Sequence, residues 1–190
     1  MREEFLSIYN NSIKREGADA LREWLLKSDF FTAPASTRFH GSHPGGLVEH
    51  SVNVYRRLLD LCAVMLPEDK WPTDETLAIV SLLHDLCKVN FYTTEMRNRK
   101  NERGVWEQVP YYTIDDQLCM GHGEGSVYIV SAFMKLTREE VAAINWHMGY
   151  SDVRFKGGDS TVNKVFQKYP LALLLHTADS MASAWDEPYA

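Results

Sequence analysis

Apolar positions recur along most of this chain at steps of three and four residues, the spacing that gathers side chains on one face of an α-helix. Phe5, Ile8 and Tyr9 share one such face, and Leu21, Trp24 and Leu25 another, so residues 2 to 28 read as two short helices broken at Gly17. The stretch FTAPASTRFHGSHPGG is rich in Pro, Gly and Ser and reads as a loop running into a helix at about Leu47. That helix carries Leu47, His50, Ser51, Val54, Leu58, Leu61 and Met65 on a single inward face. Pro72 and Thr73 open the next, with Thr73 as N-cap, and Leu77, Val80, Leu83, His84 and Cys87 follow at helical spacing.

From Phe91 to Ile114 the pattern changes. An NERG turn at residues 101 to 104 separates two arms, the second rich in aromatic and β-branched residues, which predicts a β-hairpin. Helices resume at about Glu124 to Met134 and at Arg138 to His147, where Thr137 and Glu140 form a capping box. A final helix is expected from Pro170 to Trp185. The expected architecture is therefore all-α, a helical bundle with a hairpin inserted at about residues 91 to 114. One domain is expected over residues 1–190, with 1–37 as N-terminal packing helices and 38–185 as the core.

Composition narrows the partners. The hydrophobic fraction of 45% suits a folded chain, and a formal net charge of -6 argues against generic affinity for long nucleic acids or anionic membranes. A phosphorylated partner then needs a local site. No apolar run is long enough for a membrane helix, and the acids in MREEFLSIYNNSIKREG do not suit a signal peptide, so a cytoplasmic location is expected. Cys62, Cys87 and Cys119 form no CxxC pair and read as small side chains in a reducing compartment.

The candidate chemistry lies where histidines and acids interrupt apolar helices. His50, His84, His122 and His147 sit on or beside such helices, and Asp85 and Asp179 fall within SLLHDLCK and LLLHTADSMA, which hold no Arg or Lys except Lys88. A buried carboxylate costs several kcal/mol without a counter-charge. A divalent ion supplies one, and an imidazole-carboxylate donor set suits Mn, Fe, Co, Ni or Zn.

The blocks GGLVEHS, LLHDLCK and LLLHTADS, in that order, resemble those of the HD-domain superfamily over residues 38 to 185. Within it the likeness is to small phage and bacterial HD proteins and to the HD module of bacterial exoribonucleases. The resemblance implies that His50, His84, Asp85 and Asp179 bind a first ion. MGHGEGS and NWHMGY further imply a second, held by His122 and His147 with Asp85 bridging. Read from the residues alone, His122 also fits an N-terminal helix position in a Gly-rich turn, and His147 a cation at a helix C-terminus.

Lys88, one helical turn after His84, can point a cation at a bound phosphate, and the resemblance implies that it binds phosphate beside the metals and joins Asp85 in catalysis; read from the residues alone, it also fits an exposed lysine at a helix end. His40 and His43 are candidate substrate contacts from the loop. Arg97 and Arg99, with Lys100 and Arg103, form the basic hairpin tip, which either holds substrate phosphates or is a solvated turn. His176, three residues before Asp179, either supports a ligand or packs in the core. The expected activity is hydrolysis of a phosphate ester of a nucleotide or short oligonucleotide by metal-activated water. The alternatives are a di-iron HD-type oxygenase and a non-catalytic nucleotide- or metal-binding module.

Overall fold

In the computed structural model, which describes residues 1–187, helix α1 (Arg2–Ser12) buries Phe5 and Tyr9 one turn apart, and α2 (Ala18–Lys27) buries Leu21 and Leu25 in the same way. Gly17, with φ of 91°, makes the break between them. Both helices join a single core that runs from Phe5 to Ala182.

The longest helix, α3 (Gly46–Met65), packs against α1, α4 (Asp74–Leu82) and α9 (Pro170–Met181), while α6 (Arg138–Asn145) packs on α9 and on α5 (His122–Ser131). Its buried face includes Leu47, His50, Ser51, Val54, Leu58 and Cys62. Met65, expected on that face, is instead solvent-exposed in the last turn, where α3 has run past the core. Leu77, Ala78, Ile79, Val80 and Leu82 are fully buried, which makes α4 a central helix with neighbours all round. Thr73 caps it as expected, its hydroxyl accepting from the Thr76 amide.

Helix α4 stops at Leu82, so His84 and Cys87 do not continue it. The imidazole Nδ1 of His84 bonds the Ser81 carbonyl at 2.8 Å, and a carbonyl captured by a side chain is lost to the helical ladder. His84 and Asp85 lie in a turn, and Leu86–Lys88 form a 3-10 turn after it. The same device ends α6: His147 Nδ1 bonds the Ile144 carbonyl at 2.7 Å, so His147 lies beyond the helix that was expected to include it.

Strands β1 (Tyr92–Lys100) and β2 (Trp106–Ile114) pair antiparallel in register from Tyr92↔Ile114 to Lys100↔Trp106. The hairpin stands off the body, its base tethered by Tyr92, whose hydroxyl donates to the Ala35 carbonyl at 3.0 Å. The Thr137–Glu140 capping box forms as read, and the buried Glu140 carboxylate also takes both guanidinium nitrogens of Arg15. Between residues 148 and 168, where no elements were expected, lie a 3-10 turn (Gly149–Ser151), α7 (Val153–Lys156) and α8 (Thr161–Lys168). The final helix is α-helical only to Met181 and continues as a wider π turn over Ala182–Asp186. Among the described residues no helix is long and apolar enough to cross a membrane.

Candidate metal centre

Five of the six expected ligands converge at one end of the core. His50 arrives from the second turn of α3, His84 and Asp85 from the turn after α4, Asp179 from α9, and His147 from the turn after α6. His50 Nε2 lies 3.1 Å from His84 Nε2, 3.2 Å from Asp179 Oδ1 and 3.6 Å from Asp85 Oδ2. On the other side of the same carboxylate, His147 Nε2 lies 3.4 Å from Asp85 Oδ1. His50, His84, Asp85 and His147 are buried.

The tautomers follow from what each Nδ1 touches. His84 Nδ1–H donates to the Ser81 carbonyl and His147 Nδ1–H to the Ile144 carbonyl, and a carbonyl can only accept. Both rings therefore aim an Nε2 lone pair inward. His50 Nδ1 faces both oxygens of Glu187, at 3.0 and 3.1 Å, so its Nε2 is also directed to the centre. Two imidazole nitrogens 3.1 Å apart require a proton or a cation between them.

Without a metal that role falls to a proton on His50. Burial alone would lower its pKa, but Asp179 and Glu187 outweigh burial and raise it to about 10. Burial pushes His84 down to about 4, so it remains a neutral donor. Asp85 Oδ1 and His147 Nε2 are both buried with no hydrogen-bond partner, which leaves a carboxylate oxygen and an imidazole lone pair unused at the centre. Three carboxylates, Asp85, Asp179 and Glu187, stand against one ammonium, Lys88, so with neutral imidazoles the site carries two excess negative charges. The donor types, their convergence, the unused atoms and this charge all fit a divalent ion.

Lys88 does not share a helical face with His84, since there is no helix between them. The 3-10 turn nonetheless brings its Nζ within 2.7 Å of Asp85 Oδ2, buried, and the Asp85 charge outweighs burial to keep it cationic. His122, the first residue of α5, stands apart from His147: its Nδ1 lies 3.3 Å from Cys87 Sγ, and Asp85, Cys87 and His122 place donor atoms within 4.8 Å of one another. It reaches there because Gly123 carries no side chain; a Cβ would stand 2.2 Å from the Asn145 carbonyl oxygen. His122 and His147 thus meet Asp85 in two separate donor groups.

A cleft of about 210 Å³ opens on this cluster, lined by His40, Asp85, Lys88, His122, His176 and Asp179 among others. The Nε2 of His40 is buried and unpartnered in that wall. His43 is not brought to the cleft; it lies on the surface with Nε2 3.5 Å from Glu49. Arg97 and Arg99 are likewise absent from it and line a separate groove. His176 donates from Nδ1 to the His147 carbonyl at 2.7 Å, so it braces the turn that carries a donor.

Two participants were not read from the sequence. Cys87 was taken as a buried apolar side chain, and Glu187 lies 137 positions from the histidine it holds, with no local pattern to mark it. Asn53, one turn from His50 on α3, donates to the same Glu187 carboxylate at 3.4 Å. No protein family, curated protein or solved structure matches this chain.

Proposed function

We propose that the chain is a metal-dependent phosphohydrolase of the HD kind that its three sequence blocks resemble, acting on a small phosphate ester of the nucleotide class. The observation that carries this reading is the buried convergence of three imidazole lone pairs with Asp85 and Asp179, two atoms of it unpartnered, beside a buried lysine at a cleft. His50, His84, Asp85 and Asp179 would hold one ion, with His147 completing the far side of Asp85 and His122 on its outer edge. A mixed imidazole and carboxylate set favours Mn, Fe, Co, Ni or Zn over Mg or Ca.

A bound divalent ion supplies Lewis acidity toward a phosphoryl oxygen and makes a water acidic enough to attack at neutral pH. The chain's own groups do the rest. Lys88 holds Asp85 from the cleft side and presents its remaining N–H groups to a phosphate oxygen. His40 Nε2 offers a further polar contact in the cleft lining. Asp179 and Asp85 orient the attacking water by accepting its hydrogens. Hydrolysis adds the water oxygen to phosphorus, breaks the ester P–O bond and delivers a proton to the leaving alcohol.

The test is a screen of purified protein against phosphomonoesters and phosphodiesters with Mn, Co, Ni and Mg added separately. Metal-dependent turnover in wild type that falls at least about a hundredfold in Lys88→Met supports the reading. No turnover with any metal, or equal turnover in Lys88→Met, contradicts it.

A further inference from the structure

Five of the eleven arginines, Arg15, Arg22, Arg56, Arg57 and Arg154, lie within ion-pair distance of a carboxylate. Arg38, Arg97 and Arg99 have no such pair among the described residues, yet all three line one groove of about 440 Å³ between the loop of residues 37–44 and the hairpin. Thr94, Tyr111 and Tyr112 complete its wall, and the Arg97 guanidinium lies 5.2 Å from the centre of the Tyr111 ring. Three exposed guanidiniums lining one concavity of a protein with net charge -6 make a local positive field that attracts an anion. Tyrosine rings beside arginines are also a stacking surface for bases.

The groove and the metal cleft share a wall. Within that loop Arg38, Ser42 and Pro44 face the groove, whereas His40 lines the cleft, its ring 5.1 Å from that of His50. A ligand occupying both must reach past that loop from the cleft to the groove. Adjacent phosphates of a nucleoside polyphosphate are too close together for this. Successive phosphodiesters of a single strand are separated by a whole sugar, and a base lies between them to stack.

We propose that this groove binds the nucleotide next to the scissile phosphate, so that the substrate is a short single-stranded oligonucleotide of at least two nucleotides. The inference rests on the phosphohydrolase reading for the cleft and adds the substrate class.

The test uses the metal-loaded full chain and a fluorescently labelled thymidylate tetramer, with binding read by anisotropy at low and at physiological salt. Thymidine monophosphate serves as competitor, and the triple variant Arg38→Gln, Arg97→Gln, Arg99→Gln as the comparison. The expected result is that the tetramer binds wild type at least about tenfold more tightly than the triple variant, and that the mononucleotide competes poorly. Turnover of bis(p-nitrophenyl) phosphate, read in parallel, reports on the cleft alone. Hydrolysis of that small diester together with equal tetramer binding in the two proteins overturns the groove and leaves the phosphohydrolase. Tetramer binding that depends on the arginines without hydrolysis of any ester supports the groove and removes the phosphohydrolase. No tetramer binding by wild type overturns the inference outright.

Discussion

At the scale of single residues, the centre depends on what stands behind each ligand. His84 and His147 are oriented by backbone carbonyls within their own turns, whereas His50 is oriented by a charged group, Glu187. A carboxylate behind a ligating imidazole fixes its tautomer and increases its basicity. Glu187→Gln keeps an oxygen for the Nδ1 hydrogen bond and removes the charge, and metal affinity should fall by about 10- to 100-fold with the same number of ions bound at saturation. Isothermal titration with Zn or Mn measures it; affinity equal to wild type would leave Glu187 with no role in binding. The raised pKa of His50 gives a second expectation. Its proton is retained in the metal-free protein up to about pH 10, so metal uptake near pH 8 must release it, and affinity must weaken as pH falls. Titrations in two buffers of different ionisation enthalpy should show about one proton released per first ion. No proton release would mean that His50 is already neutral.

At the scale of elements, the turns that carry the donors are held by helix ends. Glu140 is the clearest case: it closes the capping box of α6 through the Thr137 amide, accepts from Thr76 at the start of α4 and takes both guanidinium nitrogens of Arg15. Burial would raise its pKa, but Arg15 and the capping bonds outweigh burial and lower it. Its contribution to stability is therefore present above the unfolded carboxylate pKa and lost as pH falls through the lower folded value. Glu140→Ala should cost about 3 kcal/mol at pH 7, a drop of roughly 6 to 12 °C in Tm, because Arg15 is left without its partner. The gap from wild type should narrow below about pH 4. A variant that melts with wild type at pH 7 would contradict this account.

The sequence made these elements legible to different degrees. Both capping residues, Thr73 and Thr137, were readable because capping is a local rule, and the hairpin because its turn and strand residues are contiguous. The ends of α4 and α6 were not. Leu77, Val80, Leu83, His84 and Cys87 keep helical spacing, but the spacing cannot show that the His84 imidazole takes the Ser81 carbonyl. Helix α8 was legible and went unread, since Val162, Val165, Phe166 and Tyr169 keep helical spacing, whereas the shorter elements at residues 149 to 156 are fixed by tertiary contacts. Arg154 shows this, donating to the Asn145 carbonyl at 2.7 Å and to Glu124 at 3.0 Å. Glu187 was invisible for the same reason, since its meaning comes only from the fold that brings it to His50.

At the scale of the whole molecule, the helical body and the hairpin are separable. The core runs from Phe5 to Ala182 without any hairpin residue beyond Val89 and before Val130, and β1 is exposed along nearly its whole length. Replacing residues 94–112 with a short Gly-Ser turn should leave helical circular dichroism and metal content intact and shift Tm by no more than about 4 °C. Loss of bound metal in that variant would show that the hairpin helps to build the centre. The helical body thus provides one buried set of donors, drawn from α3, α9 and the turns after α4 and α6, that has no use in an ordinary core.

The most direct measurement of that claim is the metal content of wild type and Asp85→Ala by mass spectrometry, after loading with Mn or Zn and removal of free ion. Asp85 faces His50, His84, His147 and Lys88, so every part of the site depends on it. Wild type should retain at least one ion per chain, and Asp85→Ala none, with its helical circular dichroism unchanged. A wild type that retains no ion, or an Asp85→Ala protein that retains as much as wild type, would contradict the account.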